Sequence, residues 1–220
     1  MMCSKSLRVI PVLLAMGMLL QGCNREKESW RPTHSEVSLR SETLAVERVE
    51  NLPQDFIFGM DASCVPALED SGVRYFDHDG AERDVFAILR DNGINYVRVR
   101  IWNDPFDENG NGYGGGNCTV DTAVEIGKRA TQYGMKLLAN FHYSDFWADP
   151  GKQMTPKAWK NMGIEEKCEA LYQYTKESLQ KLVDAGVDVG MVQIGNETNG
   201  AMCGEKVWFN IQYLLSAGSK

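Results

Sequence analysis

The stretch Val192-Gln193-Ile194-Gly195-Asn196-Glu197-Thr198-Asn199-Gly200 sets an amide and a carboxylate side by side directly after an apolar run. A carboxyl group at the end of a hydrophobic strand is partly stripped of water. Its pKa then rises toward neutrality, and it can hold a proton for donation. The neighbouring amide can reach a hydroxyl group. Together they suit acid-catalysed cleavage of a sugar linkage, with Glu197 as the acid and Asn196 as the hydroxyl contact. The same nine residues also fit a strand that simply ends in a Gly-Asn turn.

Other stretches carry chemistry-bearing side chains in similar settings. Tyr96 to Pro105 puts Arg98, Arg100 and Trp102 at alternate positions, which reads either as a binding face or as salt-bridged surface. Asp107-Glu108-Asn109-Gly110-Asn111-Gly112 opens like a calcium loop. Cys118 stands where a bidentate glutamate would be needed, so a long flexible loop over the strand mouths is expected, with no metal and no cofactor. Asn140 to Pro150 brings His142, Asp145 and Trp147. The aromatics Tyr143, Trp147 and Trp159 are expected to be exposed, with faces suited to sugar rings.

A repeating unit must position these residues. Each unit has a short apolar strand, a polar loop, an amphipathic helix and a glycine, and the next strand follows. The strands are expected over Phe56 to Asp61, Asn95 to Trp102, Met135 to His142 and Val187 to Gly195. The helices are expected over Ala81 to Asn92, Asp121 to Tyr133, Glu165 to Asp184 and Val207 to Leu215. Gly93, Gly134 and Gly186 follow three of these helices, where a left-handed residue closes the last turn. In the third helix Ile164, Cys168, Leu171, Thr175, Leu179 and Leu182 recur at steps of three and four, predicting one buried face.

Strand alternation then sorts the side chains. Ile57, Gly59 and Asp61 share a face, as do Arg98, Arg100 and Trp102; Leu138, Asn140 and His142; and Gln193, Gly195 and Glu197. The opposite face is apolar in all four strands, including Phe56 and Phe58, as if covered by helices. A parallel α/β barrel whose polar interior opens at the C-terminal mouth accounts for all four at once, although a two-layered sheet is compatible.

Composition narrows the partners. The 220 residues are 43% hydrophobic and carry a net charge of −7. Residues 1–22 hold Lys5 and Arg8, then the apolar run Val9 to Leu20, then Leu20-Gln21-Gly22-Cys23, which resembles a bacterial lipobox cleaved before an acylated Cys23. The remainder then has 21 basic against 30 acidic residues, a net −9, which argues against nucleic acid and favours a neutral partner such as a polysaccharide. Residues 23–52 read as a lipidated cysteine and polar tether, and 53–220 as the folded domain. The expected location is the bacterial cell envelope, attached through the lipid. Cys64, Cys118, Cys168 and Cys203 permit three pairings and show no metal spacing.

The segments Gly59-Met60-Asp61-Ala62-Ser63, Arg98 to Pro105, His142 to Pro150 and Ile194-Gly195-Asn196-Glu197 are similar to those of glycoside hydrolase family 53, the endo-β-1,4-galactanases that act on arabinogalactan. The resemblance runs from about Phe56 to the chain end. It implies a (β/α)8 TIM-type barrel, of which about the first four βα units are present, and a retaining mechanism with Glu197 as acid/base. It also implies a cleft lined by Asp61, Arg98 or Arg100, His142, Asp145, Trp147 and Asn196, and Trp102 joins them on the inward strand face. Retaining chemistry uses two carboxyl groups about 5 Å apart. The family's nucleophile is expected beyond Lys220, so this chain by itself is expected to be inactive, poorly folded and prone to associate. Two rival readings remain: a related β-glycanase acting on mannan or cellulose, and an inactive glycan-binding lipoprotein.

Overall fold

The computed structural model describes residues 49–220. The segments expected as an export signal, an acylated Cys23 and most of a tether lie outside the described residues. The chain divides after Asn51, and the unit Leu52–Lys220 is the one described below.

Four parallel strands lie in sequence order: β1 (Gly59–Asp61), β2 (Tyr96–Ile101), β3 (Lys136–Phe141) and β4 (Val189–Ile194). Each new strand adds to the same edge, with Asp61 beside Arg98, Arg100 beside Asn140 and Asn140 beside Gln193. Five α-helices alternate with them: α1 (Val65–Asp70), α2 (Val85–Asp91), α3 (Val120–Gln132), α4 (Ile164–Asp184) and α5 (Trp208–Gly218). This is the progression of a (β/α)8 barrel through its first four units.

The core lies between the sheet and the helices. Val97, Val99, Ile101, Leu137, Ala139 and Phe141 from the strands are fully buried, as are Ala123, Ile126, Leu171, Leu182 and Leu214 from the helices. Full burial of a large apolar side chain contributes roughly 1.5–3 kcal/mol relative to exposure. The expected face of α4 is the buried one, with Leu171, Thr175 and Leu182 inward. Gly93, Gly134 and Gly186 all take positive φ, closing α2, α3 and α4 as their positions predicted.

Several boundaries differ from expectation. β1 begins at Gly59 because the segment before it is held by a side chain. Asn95 Oδ1 accepts from Phe58 N at 2.9 Å, and Asn95 Nδ2 donates to the Phe56 carbonyl at 2.8 Å. Phe58 and Met60, whose side was expected to be covered, are 44% and 50% exposed. Residues 81–84 are not helical. Glu82 bridges to Phe76, and α2 starts only after Asp84 caps it by accepting from Phe86 N at 2.7 Å. Trp102 and His142 stand just past their strands, and Gly195 just past β4.

Candidate functional site

The C-terminal ends of the strands and the loops just beyond them carry the expected residues, and most of them join one network. Arg98, on β2, donates from Nη1 to Asp61 Oδ2 at 2.5 Å and from Nη2 to Asn196 Oδ1 at 2.9 Å. Asn140, on β3, donates to the same Asn196 oxygen at 3.1 Å. Asn196 Nδ2 donates to the Ala148 carbonyl at 2.7 Å. The Asn196 amide expected to reach a substrate hydroxyl is therefore buried and largely satisfied within the protein. It joins the ends of three strands.

Asp61 is held from two sides. Burial pushes its carboxyl up, but hydrogen bonds from Ser63 and the nearby Arg100 and Arg98 outweigh that, leaving it below the usual carboxylate range. Arg100 is buried. Its backbone N donates to Ser63 Oγ at 3.0 Å, its Nε lies 3.9 Å from Asp61 Oδ1, and its guanidinium stacks 4.2 Å from the Trp147 ring centre. Such a stack is worth about 0.5–2 kcal/mol depending on desolvation. Two guanidiniums against one carboxylate leave this knot positive in an acidic chain.

His142 is fully buried beside it. Its Nδ1 accepts from both Trp102 Nε1 and Ala148 N, each at 3.1 Å. A nitrogen that accepts two N–H groups carries no proton, so the neutral ring holds its hydrogen on Nε2, which has no partner. Burial, with Arg98 and Arg100 adding to it, pushes the imidazole down to about 3. Trp102 is fully buried and so supports His142 and Trp147 from behind; it does not meet solvent. Trp147 is 40% exposed, as expected of a ring-stacking platform, but Tyr143 and Trp159 are core residues. The Tyr143 hydroxyl pairs with Thr175 Oγ1 at 2.8 Å, and Trp159 meets Tyr174 edge to face.

Glu197 lies three residues beyond β4 with φ of +50°, a left-handed conformation unusual for this residue type. Its side chain is exposed, so the partial desolvation expected from the apolar run is absent; the strand ends at Ile194 and the turn lifts the residue clear of it. Gln153, from the β3–α4 loop, fixes the turn: its Nε2 donates to the Asn196 carbonyl at 2.6 Å and approaches the Glu197 carbonyl at 3.4 Å. Asn199 N also donates to the Glu197 carbonyl, at 2.8 Å.

Asp145 stands apart from the knot and clasps two loops. Its Oδ1 accepts from Asp104 N at 3.1 Å and its Oδ2 from Lys157 N at 2.6 Å. Burial raises its carboxyl against those contacts. It lines a cavity of about 600 Å³ with Phe146, Gln153 and Lys157. The segment expected as a long flexible loop forms a hairpin, bridged from Phe106 to Gly112, in which Asp107 accepts from Asn109 and Asn111.

Sequence reasoning missed Ser63 and Gln153, which lie in loops where no periodicity marks a side chain. Asn140 was visible on the inward face by alternation.

A parallel βα sheet that collects acid, guanidinium, amide, imidazole and indole at its C-terminal mouth is the first half of a TIM-type barrel, polar at the end where such barrels carry their sites. Within that class the chain belongs to glycosyl hydrolase family 53, whose profile matches residues 57–220. It is 58% identical over 182 residues to an endo-β-1,4-galactanase of Bacillus subtilis, a match covering 83% of this chain and 42% of that one. The solved GH53 catalytic domain of Ignisphaera aggregans superposes with a TM-score of 0.77 at 42% identity, over 80% of this chain and 50% of that one. A fungal β-1,4-galactanase structure gives 0.65 at 39% identity, over 73% and 47%. The chain thus spans about half the length of the relatives it matches.

Proposed function

We propose that this chain supplies the acid/base side of an endo-β-1,4-galactanase, cleaving β-1,4-galactosidic bonds in plant galactan or arabinogalactan with retention. The observation that carries this reading is the Asn196-Glu197 pair at the mouth of β4, fixed by Arg98, Asn140 and Gln153. In this reading Glu197 protonates the departing sugar oxygen and later deprotonates water. A second carboxylate outside residues 52–220 is the nucleophile. The positive Asp61–Arg98–Arg100 knot favours ionised carboxylate nearby. Trp147 offers its face to a sugar ring, and His142, buried beside it with its hydrogen on Nε2, holds that indole edge to face. Trp102, Asn196 and Asp145 shape the cleft from behind. Substrate, or protein packed against β4, covers Glu197 from solvent.

The test uses the protein expressed from its gene to the natural stop codon. Glu197→Ala should slow hydrolysis of galactan by about 10²- to 10⁴-fold. Aryl β-galactosides with good leaving groups need little protonation, so they should lose far less in the glycosylation step. An equal loss on both would assign Glu197 a positioning role instead. Absence of galactan hydrolysis by the unsubstituted protein would overturn the substrate assignment.

The same proposal places the protein in the bacterial cell envelope, tethered by residues 24–52 from a lipid on Cys23. Mass spectrometry of membrane-partitioned protein should find the acylated cysteine, and Cys23→Ala should abolish both the acyl mass and the partitioning.

A further inference from the structure

Cys64, Cys118, Cys168 and Cys203 are unbridged in the structure. Among the three pairings they permit, one is marked by contact. Cys64, at the start of α1, and Cys118, just before α3, each hold a sulfur 3.4 Å from the same acceptor, the Gly115 carbonyl. Cys118 Sγ also lies 3.5 Å from the Ser63 carbonyl, in the peptide that enters Cys64. A Cβ placed on Gly116 would stand 3.2 Å from Cys118 Sγ and 3.3 Å from Cys64 Cα. The backbone of Gly115 and Gly116 thus lies against both cysteines. Gly114, Gly115 and Gly116 all take positive φ, and a run of glycines can swing that carbonyl aside at little steric cost.

We propose that Cys64 and Cys118 form a cross-linking site, which closes to a disulfide on meeting an external disulfide and clamps the Gly114–Gly116 turn to the start of α1. The clamp bears on the cleft. A Cβ on Gly115 would lie 3.1 Å from the Trp102 ring and 3.5 Å from Trp147 Nε1, so this turn backs the exposed indole. Arg100 Nη2 touches both ends of it, at 3.0 Å to Cys64 Sγ and 3.4 Å to the Gly115 carbonyl.

The chemistry is two thiol–disulfide exchanges. Cys64 is half-buried and Cys118 fully buried, so Cys64 meets the oxidant first. Its thiolate attacks one sulfur of the external disulfide, forming a mixed disulfide and expelling the other sulfur as a thiol. The Cys118 thiolate then attacks the Cys64 sulfur and expels the second thiol. Two cysteine thiols lose two electrons and two protons, and the oxidant becomes two thiols. Burial pushes the Cys118 thiol up to about 11, so the second step accelerates as pH rises.

The folded natural-length protein is equilibrated with glutathione disulfide, quenched in acid, alkylated, digested and mapped by mass spectrometry. The expected product joins the Cys64 and Cys118 peptides and is two hydrogens lighter than the reduced pair. Cleavage of the 110–117 segment by a protease should slow, and dithiothreitol should reverse both effects. Cys118→Ser should stop at a glutathione adduct on Cys64, and urea-unfolded protein should scramble its pairings. Full alkylation of both Cys64 and Cys118 in the folded, oxidant-treated protein would overturn the proposal. So would a bond from either one to Cys168 or Cys203.

Discussion

At His142 the fold holds an imidazole where a proton is costly to add. The ordinary value of 6.5 falls to about 3 through burial, with two guanidiniums nearby, while the unfolded chain keeps the ordinary value. Between those limits the unfolded state binds one more proton than the folded state, so stability falls as pH drops below 6.5. One proton contributes up to about 1.4 kcal/mol per pH unit. In urea unfolding, His142→Gln should flatten this acid-side slope by about one proton above the range where carboxylates titrate; identical slopes would refute the assignment. Single residues were unevenly legible in the sequence. Strand alternation singled out Asp61, Arg98 and Arg100 because a two-residue period survives in sequence. It did not distinguish a side chain that meets solvent from one that braces a neighbour. Trp102, set inward by that period, and Asn196, chosen for its place beside Glu197, were expected to face substrate, yet both are buried. Glu197 was expected to be partly buried, yet it is exposed.

At the scale of elements, the packing of α3 on the sheet turns on one glycine. A Cβ at Gly127 would stand 2.6 Å from Val187 Cγ1 and 3.3 Å from Leu137 Cδ2, inside the buried core. Alanine favours a helix by up to about 1 kcal/mol over glycine. The overpacking costs about 1–3 kcal/mol and outweighs that gain. Gly127→Ala should lower the thermal midpoint by several degrees, and adding Val187→Ala should recover part of the loss; a neutral or stabilising single substitution would contradict the packing. The long helices and the glycines that end them were readable because each repeats a local rule. The six-residue α1 and the 3₁₀ turn Lys157–Trp159 were not, being too short to show a period. β1 was overestimated because Asn95 does with a side chain what a strand does with its backbone.

For the whole molecule, the decisive feature is the pair of sheet edges. Among the described residues β1 and β4 each pair with one strand only. Near the first edge lie exposed Phe58 and Met60, while α5 carries Trp208 at 62% and Phe209 at 68% exposure. Unpaired strand edges and contiguous apolar surface favour association. The 220-residue chain expressed on its own should therefore scatter light as dimers or larger species. Replacing Phe58 with lysine should reduce the association. A monodisperse monomer would contradict this reading of the edges. The barrel progression and its two unpaired edges were legible from the strand–helix alternation, but the uncovered side of β1 was not. Coverage depends on what lies beside a strand in space, and the period of the strand itself carries no such information.

Left-handed backbone within Leu52–Lys220 is divided by direction. The positive φ angles that close α2, α3 and α4 before the next strand belong to Gly93, Gly134 and Gly186. Those on non-glycine residues, at Asn117, Tyr143, Glu197 and Cys203, all fall on the segments leading from a strand into the next helix. A left-handed conformation strains any residue with a side chain by roughly 1 kcal/mol or more. One rim of the sheet is therefore relaxed and the other held under tension. Glu197→Gly would relax that rim by roughly 1 kcal/mol while removing the acid/base proposed above, so at this position the easier backbone and the proposed chemistry ask for different residues.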